Sequence, residues 1–252
     1  MRGEGDSRVS RGMAGIVLLV LLGLGLLSGY AALHAGYFRY QELELVGAAR
    51  ITPAEVEQIL GLEEGTPRWR YPAAVLRQQL LRLEPWVKEA EVTWQGRRLR
   101  IAVTERRPVA LLPYYNLYAV LDAEGIVLEA ASLDEYRLPV ISGVALPRAL
   151  RGERVRHPDL AGALRAAALL PREVADQVSE IHVTPLGELE LIVEGPVTVF
   201  LGPPQRLEEK LATLPAVWEN GTPLLEEARR RGYDLNLVNP DRPTLQPRSA
   251  GR

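Results

Sequence analysis

The residues best suited to catalysis are few in this chain of 252 residues. It has three histidines, His34, His157 and His182, and no cysteine, which excludes thiolate catalysis, thiolate metal ligation and disulfides. His157 directly precedes a proline that opens a helical pattern, which predicts a cap or loop position. His182 stands between Ile181 and Val183, which predicts a place on the solvated face of a strand. We therefore expect none of the histidines to be catalytic.

Paired carboxylates are the other candidate for chemistry. Glu188 and Glu190 alternate with leucines, so both are predicted to lie on one face of a strand. Two carboxylates can hydrolyse a glycosidic bond, which makes cleavage of the cell wall a hypothesis. Alternating acids are also common on a solvated strand face, and the sequence has no serine-hydrolase elbow, zinc-protease helix or phosphate-binding glycine loop. We predict a protein that is not an enzyme and that has neither cofactor nor metal.

The charge pattern points away from nucleic acid as a partner. The formal net charge is −2, and acids are interleaved with the arginines, so no basic surface is expected. Hydrophobic residues make up 47% of the chain, which is enough for packed cores. Trp69, Trp86 and Trp94 could act as ligand platforms, although packing in a core or interface is the commoner role of tryptophan. We expect no nucleic-acid partner and no small-molecule substrate.

An apolar run near the N-terminus predicts a membrane anchor. From Met13 to Leu33 the sequence carries no charged residue, and about 20 apolar residues in a helix cross a bilayer core. We predict a transmembrane helix over residues 13–35. A cleavable signal peptide is the alternative, but its apolar core is usually about 7–15 residues long, shorter than this run. A retained anchor is therefore the interpretation.

The charges around this run predict its orientation. Arginines precede it, at Arg2, Arg8 and Arg11. Positive charge flanking a membrane span favours the cytoplasmic side. We predict that residues 1–12 are cytoplasmic and that the bulk of the chain lies outside the cytoplasm.

The region after the run has the pattern of a small α+β module. Alternation predicts a strand at 43–45, and a capping box with proline predicts a helix over 53–60. A second helix should run from about 72 to 84. Two alternating stretches, 90–94 and 99–104, predict a hairpin. The order β-α-α-β-β gives a three-stranded sheet with two helices covering one face.

The region from 108 to 240 reads as a mixed, mainly antiparallel sheet with two helices, the second of them stopped by Pro215. Its predicted strands, in order, are 109–112, 118–121, 126–129, 138–141, 181–183, 189–193, 197–201 and 233–238. Strand 233–238 is expected either at a sheet edge, because terminal strands often lie there, or as an ordinary strand closing the sheet. In the first module, 87–94 or 99–104 is expected to supply an edge. The proline-rich segment 241–252 is predicted to be irregular.

Two motifs and the element order together resemble a known family. The motifs are Pro85-Trp86-Val87 and Glu105-Arg106-Arg107-Pro108-Val109-Ala110. They and the β-α-α-β-β order after a single anchor resemble the FtsQ/DivIB cell-division family. The resemblance implies a POTRA domain over 38–107 and a β domain over 108–240. The motif residues it implies for the POTRA domain are Pro85, Trp86, Val87, Glu105, Arg106 and Pro108.

The resemblance also implies a function. It implies a single-pass protein of the inner (cytoplasmic) membrane at the division septum, a scaffold that links early and late division proteins and helps to control septal peptidoglycan synthesis. It implies FtsB-like and FtsL-like coiled-coil partners, bound through the C-terminal sheet edge and the residues after it. The residues that correspond by position are Tyr233, Asp234, Leu235, Asn236, Leu237 and Val238.

A protein-translocation or secretion component is the rival hypothesis, because POTRA modules also serve beside outer-membrane barrels. Such a barrel needs many strands of about 10 residues, and the sequence is expected to end too soon to hold one.

Overall fold

The structure is a computed structural model that describes residues 5–34, 38–145, 148–193, 197–219, 228 and 230–248. Its contacts divide the chain into two compact units. The first comprises Met1–Leu81 and Glu89–Thr104, and the second comprises Arg82–Lys88 and Glu105–Arg252.

Helix α1 runs from Gly5 to His34 and covers most of the predicted span. It begins before the predicted start at 13, whereas residues 1–4 and Ala35 lie outside the described residues. The side chains described on it, from Gly15 to Ala31, are all exposed. No helix is long and apolar enough to cross a membrane when only the described residues are counted.

The first unit contains the predicted β-α-α-β-β module, except that Arg82–Lys88 and Glu105, at the ends of its elements, belong to the second unit. Its elements are β1 (Glu42–Val46), α2 (Pro53–Leu60), α3 (Ala73–Leu83), β2 (Val87–Gln95) and β3 (Arg98–Glu105). The sheet order is β1-β3-β2, and β1 runs parallel to β3. Because β3 lies in the middle, the expectation of an edge at 99–104 is wrong, whereas β2 does form an end of the sheet.

Local chemistry explains why this unit folds as the pattern predicts. The Thr52 hydroxyl accepts a hydrogen bond from Glu55 N at 3.3 Å, and Thr52 N donates to Glu55 Oε2 at 2.7 Å, so the capping box forms. Val56 and Leu60 are the buried residues of α2. On β3, the alternate residues Leu99, Ile101 and Val103 are buried. One face of the sheet therefore packs and the other meets solvent.

The second unit is built on one mixed sheet. Its strands are β4 (Pro108–Tyr114), β5 (Leu117–Asp122), β6 (Val127–Ala131), β7 (Val140–Ser142), β8 (Val178–Val183), β9 (Leu189–Val193), β10 (Val197–Gly202), β11 (Tyr233–Asn236) and β12 (Thr244–Pro247). Among the described residues the order is β12-β11-β10-β9-β8-β7-β4-β5-β6. The pairs β4–β7, β7–β8 and β10–β11 are parallel, and the others are antiparallel. The predicted mixed, mainly antiparallel sheet is confirmed.

Helices cover one face of this sheet, the inner face; the opposite face is the outer face. They are α4 (Leu160–Leu169), α5 (Arg172–Ala175), α6 (Leu207–Ala212) and α7 (Leu214–Glu219). The prediction of two helices is wrong, since the described residues of this unit include at least these four α-helices. Pro215 does not end a helix but lies in the first turn of α7, where the missing N–H of proline has no helical partner to lose. Helix α4 contacts α6, β4 and β8, and together they enclose the hydrophobic core.

The prediction of an irregular tail over 241–252 is wrong for Thr244–Pro247, which forms β12 and pairs antiparallel with β11. Strand β11 therefore lies between β10 and β12, and the expectation of a sheet edge at 233–238 is also wrong. The alternation of apolar and polar residues did not predict β12, because Leu245 is the only apolar side chain between Pro243 and Pro247. Residues 249–252 lie outside the described residues.

Candidate partner-binding site

The end strand β12 presents a short backbone edge. Arg248 N donates to Gly232 O at 2.9 Å, which orients the backbone of Arg248 toward β11. In an antiparallel ladder alternate residues direct both backbone groups to the same side, so Gln246 also faces β11 while Leu245 and Pro247 face outward. Pro247 has no N–H, so Leu245 carries the one outward donor of β12.

Beside this edge the outer face of the sheet forms a groove of about 760 Å³. The groove is lined by residues of β8 to β12 and by the adjoining chain. Ile192 and Phe200 give it an apolar floor, and Glu190 contributes a carboxylate that is only 9% exposed. The lining therefore combines apolar and polar groups.

Asp234 ties the strands of this region together. Its side chain is almost buried, and Oδ1 accepts hydrogen bonds from Thr198 N at 3.1 Å and from Arg248 Nε at 3.3 Å. One carboxylate thus connects β10, β11 and the residue after β12. These hydrogen bonds compensate its charge inside the sheet, so Asp234 has a structural role in holding β12 at the end of the sheet.

Some of the predicted partner-contact residues lie in the core, and others lie on the outer face of the sheet. Leu235 and Leu237 are 1% and 0% exposed and belong to the hydrophobic core. Asp234 and Asn236 lie on the opposite face, as alternation requires, and Val238 is 45% exposed. Because the ladders with β10 and β12 occupy both sides of β11, its backbone has no open side for a further strand.

The other residues of this set support the end of the sheet. The Asn236 amide nitrogen donates to Gln246 Oε1 at 3.4 Å, and its oxygen accepts from Val238 N at 3.0 Å. Tyr233 is half-buried and packs against the buried pair Val197 and Ala228. These contacts stabilise the position of β12 without leaving β11 accessible.

The two motifs that carried the resemblance meet in the second unit. Trp86 and Val87 are buried, and Arg106 N donates to Trp86 O at 2.7 Å. Pro85 lies next to Gly152, at which an added Cβ would come within 3.3 Å of the proline ring. Pro108 opens β4, and Glu105 is the last residue of β3.

Arg106 also binds the turn between β5 and β6. Its Nη1 donates to Asp122 Oδ2 at 2.7 Å and to Glu124 Oε2 at 3.0 Å. Asp122 Oδ1 accepts from Glu124 N at 2.9 Å and from Ile126 N at 2.8 Å, which fixes the turn. The motif residues therefore have a clear structural role in the second unit, although the resemblance implied the POTRA domain for them.

Comparison with known proteins decides the family. A model of the POTRA domain, FtsQ-type, matches residues 38–106, and a model of the cell division protein FtsQ/DivIB, C-terminal, matches residues 110–235. The chain belongs to the FtsQ/DivIB family. This confirms the resemblance drawn from the motifs, and the FtsQ/DivIB family is one of cell-division proteins, not a known enzyme family.

Individual FtsQ proteins resemble the chain over most of its length. The cell division protein FtsQ of Anaeromyxobacter sp. (strain K) is 31% identical over 268 residues, covering 99% of this chain and 86% of that protein. FtsQ of Rhodothermus marinus is 30% identical, covering 84% of this chain and 80% of that protein. FtsQ of Chloroflexus aurantiacus is 29% identical, covering 92% and 82% respectively.

A polar cluster in this FtsQ/DivIB-family chain combines the residue types of a serine hydrolase. Ser142 of β7 and His182 of β8 are register partners, with Ser142 Oγ 2.7 Å from His182 Nδ1. Ser142 also donates to Glu180, whose Oε1 lies 3.7 Å from the same His182 Nδ1. In a catalytic triad the acid and the serine meet different ring nitrogens. Here one nitrogen faces both, so the geometry does not make His182 a base for Ser142.

This cluster could not be found from the sequence, because Ser142 and His182 are 40 positions apart and no motif links them. His182 does lie on the outer strand face, as predicted. His157 occupies the predicted loop before α4, where its Nδ1 accepts from Asp159 N at 3.3 Å. Glu188 directly precedes β9, and its backbone N–H donates to Thr184 Oγ1 at 3.1 Å.

Glu124 should make the stability of the second unit sensitive to acid. Hydrogen bonds from Lys88, at 2.9 Å, and from Arg106 lower the pKa of Glu124 from 4.5 to about 2. A carboxyl whose pKa falls on folding adds stability above its unfolded pKa, and this is lost as the pH falls toward the folded value. We therefore expect the free energy of unfolding to fall more steeply between about pH 5 and pH 2 in the wild type than in Glu124→Gln.

Urea unfolding across this pH range measures the effect. Glu153→Gln, which removes an exposed ion pair with Arg148, is the matched control and should follow the wild type. Parallel pH profiles for the wild type and Glu124→Gln would contradict the prediction.

Proposed function

We propose that this FtsQ/DivIB-family chain is a membrane-anchored scaffold of the division complex that binds FtsB-like and FtsL-like coiled-coil proteins at the β12 edge. In this role it links early and late division proteins and helps to control septal peptidoglycan synthesis. The observation that carries the proposal is that β12 ends the sheet among the described residues, beside a groove, in a chain of this family.

The chemistry of the edge supports recognition by strand addition. A partner strand can pair with the outward N–H and C=O of Leu245 and with the C=O of Pro247. Pro243 and Pro247 lack donors on either side of Leu245, which limits unspecific pairing along the edge. A short edge of this kind needs further contacts for affinity.

The groove supplies those further contacts. Side chains alternate along a strand, so every second residue of an added strand is directed over the groove face. Ile192 and Phe200, both half-buried, offer apolar surface there. A partner segment that alternates apolar residues toward this face would bury surface at about 25 cal/mol per Å².

The N-terminal helix supports the membrane anchor. The charge-free run from Met13 to Leu33 lies within α1, and the described apolar side chains of α1 are exposed. Exposed apolar surface of this extent is costly in water and favourable in lipid. With the preceding arginines inside, the protein is a single-pass protein of the inner membrane at the septum, its N-terminus cytoplasmic and its bulk outside the cytoplasm.

Co-purification with an FtsB-like and FtsL-like pair tests this function. The full chain is extracted in detergent, and its affinity for the pair is measured with Leu245→Pro and Leu245→Ala. Both variants lose the leucine side chain, which packs against the core, but only proline removes the outward donor. We expect Leu245→Ala to retain binding and Leu245→Pro to bind at least about tenfold more weakly.

The variants must be compared as folded proteins. Leu245 donates away from β11, so proline there should leave the β11–β12 ladder and the circular dichroism spectrum unchanged. Equal affinity of folded Leu245→Pro and Leu245→Ala would exclude the β12 edge as the docking site. Failure of the wild type to retain the pair would contradict the proposed function itself.

A further inference from the structure

Trp69 is exposed, whereas the other tryptophan side chains that the structure describes are packed. Trp86 is buried, and Trp94 is half-buried, packing edge-on against Tyr40 and donating to Tyr71 O at 3.2 Å. Trp69 is 62% exposed, in the single 3₁₀ turn Arg68–Arg70. A large exposed aromatic ring of this kind is available to contact a covering surface.

This turn is fastened to the chain that emerges from α1. Arg68 N donates to Phe38 O at 2.8 Å, and the Arg68 guanidinium lies 4.6 Å from the centre of the Phe38 ring. Arg39 forms a β-bridge with Pro67 and donates from Nη1 to Gly65 O at 2.7 Å. The turn therefore cannot move away from Phe38 and Arg39 without breaking these contacts.

Covalent reach then limits how far Trp69 can be from the end of α1. His34 is the last residue of α1, and Phe38 follows four positions later. At no more than about 3.5 Å per residue, these positions are within about 14 Å of each other. The headgroup region on each side of a bilayer is several ångströms thick, so an anchor that ends at the interface keeps Phe38 and its bound turn close to that interface.

The side chains at this place suit a bilayer surface. Tryptophan concentrates at membrane interfaces, where the ring meets acyl chains and the indole N–H meets water. Arg39 and Arg70 are exposed and can bind lipid phosphates. Glu63 and Glu64 lie in the same loop and reduce the net positive charge. Insertion of the ring, rather than charge alone, must therefore supply most of the binding.

We infer that Phe38–Arg39 and Arg68–Arg70 form a membrane-contact surface, with Trp69 inserted in the outer leaflet of the membrane that α1 crosses. The inference rests on the anchor in the proposed function. The contact holds the POTRA unit against the bilayer. It therefore sets which sides of β1 and β2 are accessible to partners.

Fluorescence quenching in proteoliposomes tests this contact. The full chain is reconstituted in vesicles of phosphatidylcholine and phosphatidylglycerol that carry bromine near the top of the acyl chains. The wild type should lose tryptophan emission in brominated vesicles, and Trp69→Phe should lose most of that bromine-dependent quenching. Trp94→Phe, which also removes one of four tryptophans, should keep it.

Extraction with alkaline carbonate separates failure of the anchor from failure of the contact. A chain that carbonate releases from the vesicles would overturn the anchor, and this inference with it. A retained chain whose bromine-dependent quenching is unchanged by Trp69→Phe would overturn the membrane contact alone. Quenching that disappears when the coiled-coil partners are added would assign Trp69 to a protein interface and would also overturn it.

Discussion

Gly143→Ala is expected to lower the free energy of unfolding of the second unit by about 4 kcal/mol. Gly143 follows β7 with a φ of +78°, a conformation that side-chain-bearing residues rarely adopt. A Cβ built there would lie 1.9 Å from the backbone oxygen of Val183 and 2.9 Å from its carbonyl carbon. Since Val183 ends β8 inside the sheet, the clash can be relieved only by moving backbone.

Gly232→Ala separates the clash from the strain of the positive φ. Gly232 has a φ of +70° and nothing within 4 Å of a built Cβ, so alanine there should cost only about 1 kcal/mol. Chemical denaturation followed by circular dichroism measures both variants. Equal losses at the two positions would show that the close approach to Val183 relaxes freely, contrary to the prediction.

Asp122→Ala is expected to cost about 3 kcal/mol, the second largest effect. Asp122 is 4% exposed, and its side chain accepts two backbone hydrogen bonds in the β5–β6 turn and pairs with Arg106. Alanine leaves both N–H groups and a half-buried guanidinium without this partner. Asp122→Asn can keep the two backbone bonds through its amide oxygen, so it should lose only about half as much.

The exposed acid Asp134 provides the control for this series. Asp134→Ala should change the free energy of unfolding by no more than about 0.5 kcal/mol. Urea unfolding of all three variants at neutral pH gives the comparison. If Asp122→Asn lowered the free energy of unfolding as much as Asp122→Ala, most of the loss would come from the ion pair with Arg106 and not from the hydrogen bonds of the turn.

Regular periodicity made the first unit predictable from the sequence. The capping box at Thr52 and the alternation of Leu99, Ile101 and Val103 each report a local preference that tertiary contacts reinforce. The order β-α-α-β-β follows from such local signals. The central place of β3 does not, because alternation alone carries no information about which strands pair.

The end of the second sheet was not predictable in the same way. β12 has one apolar residue between two prolines, and its pairing with β11 depends on the buried bonds of Asp234. The family resemblance implied partner contacts at residues 233–238, whereas among the described residues the edge of the sheet is β12, which contains Leu245. Long-range register, which sequence periodicity does not encode, accounts for this difference.

Strand β11 runs parallel to β10, so the chain must cross over between them before β12 can be laid down. In the proposed function the chain is exported through the membrane, and residues 233–247 then arrive after the other strands of the sheet, so β10 is the border of the sheet until they pair. The proposed docking edge therefore forms only after residue 247 has crossed. Under that function, partner binding would select molecules in which β12 has already paired with β11.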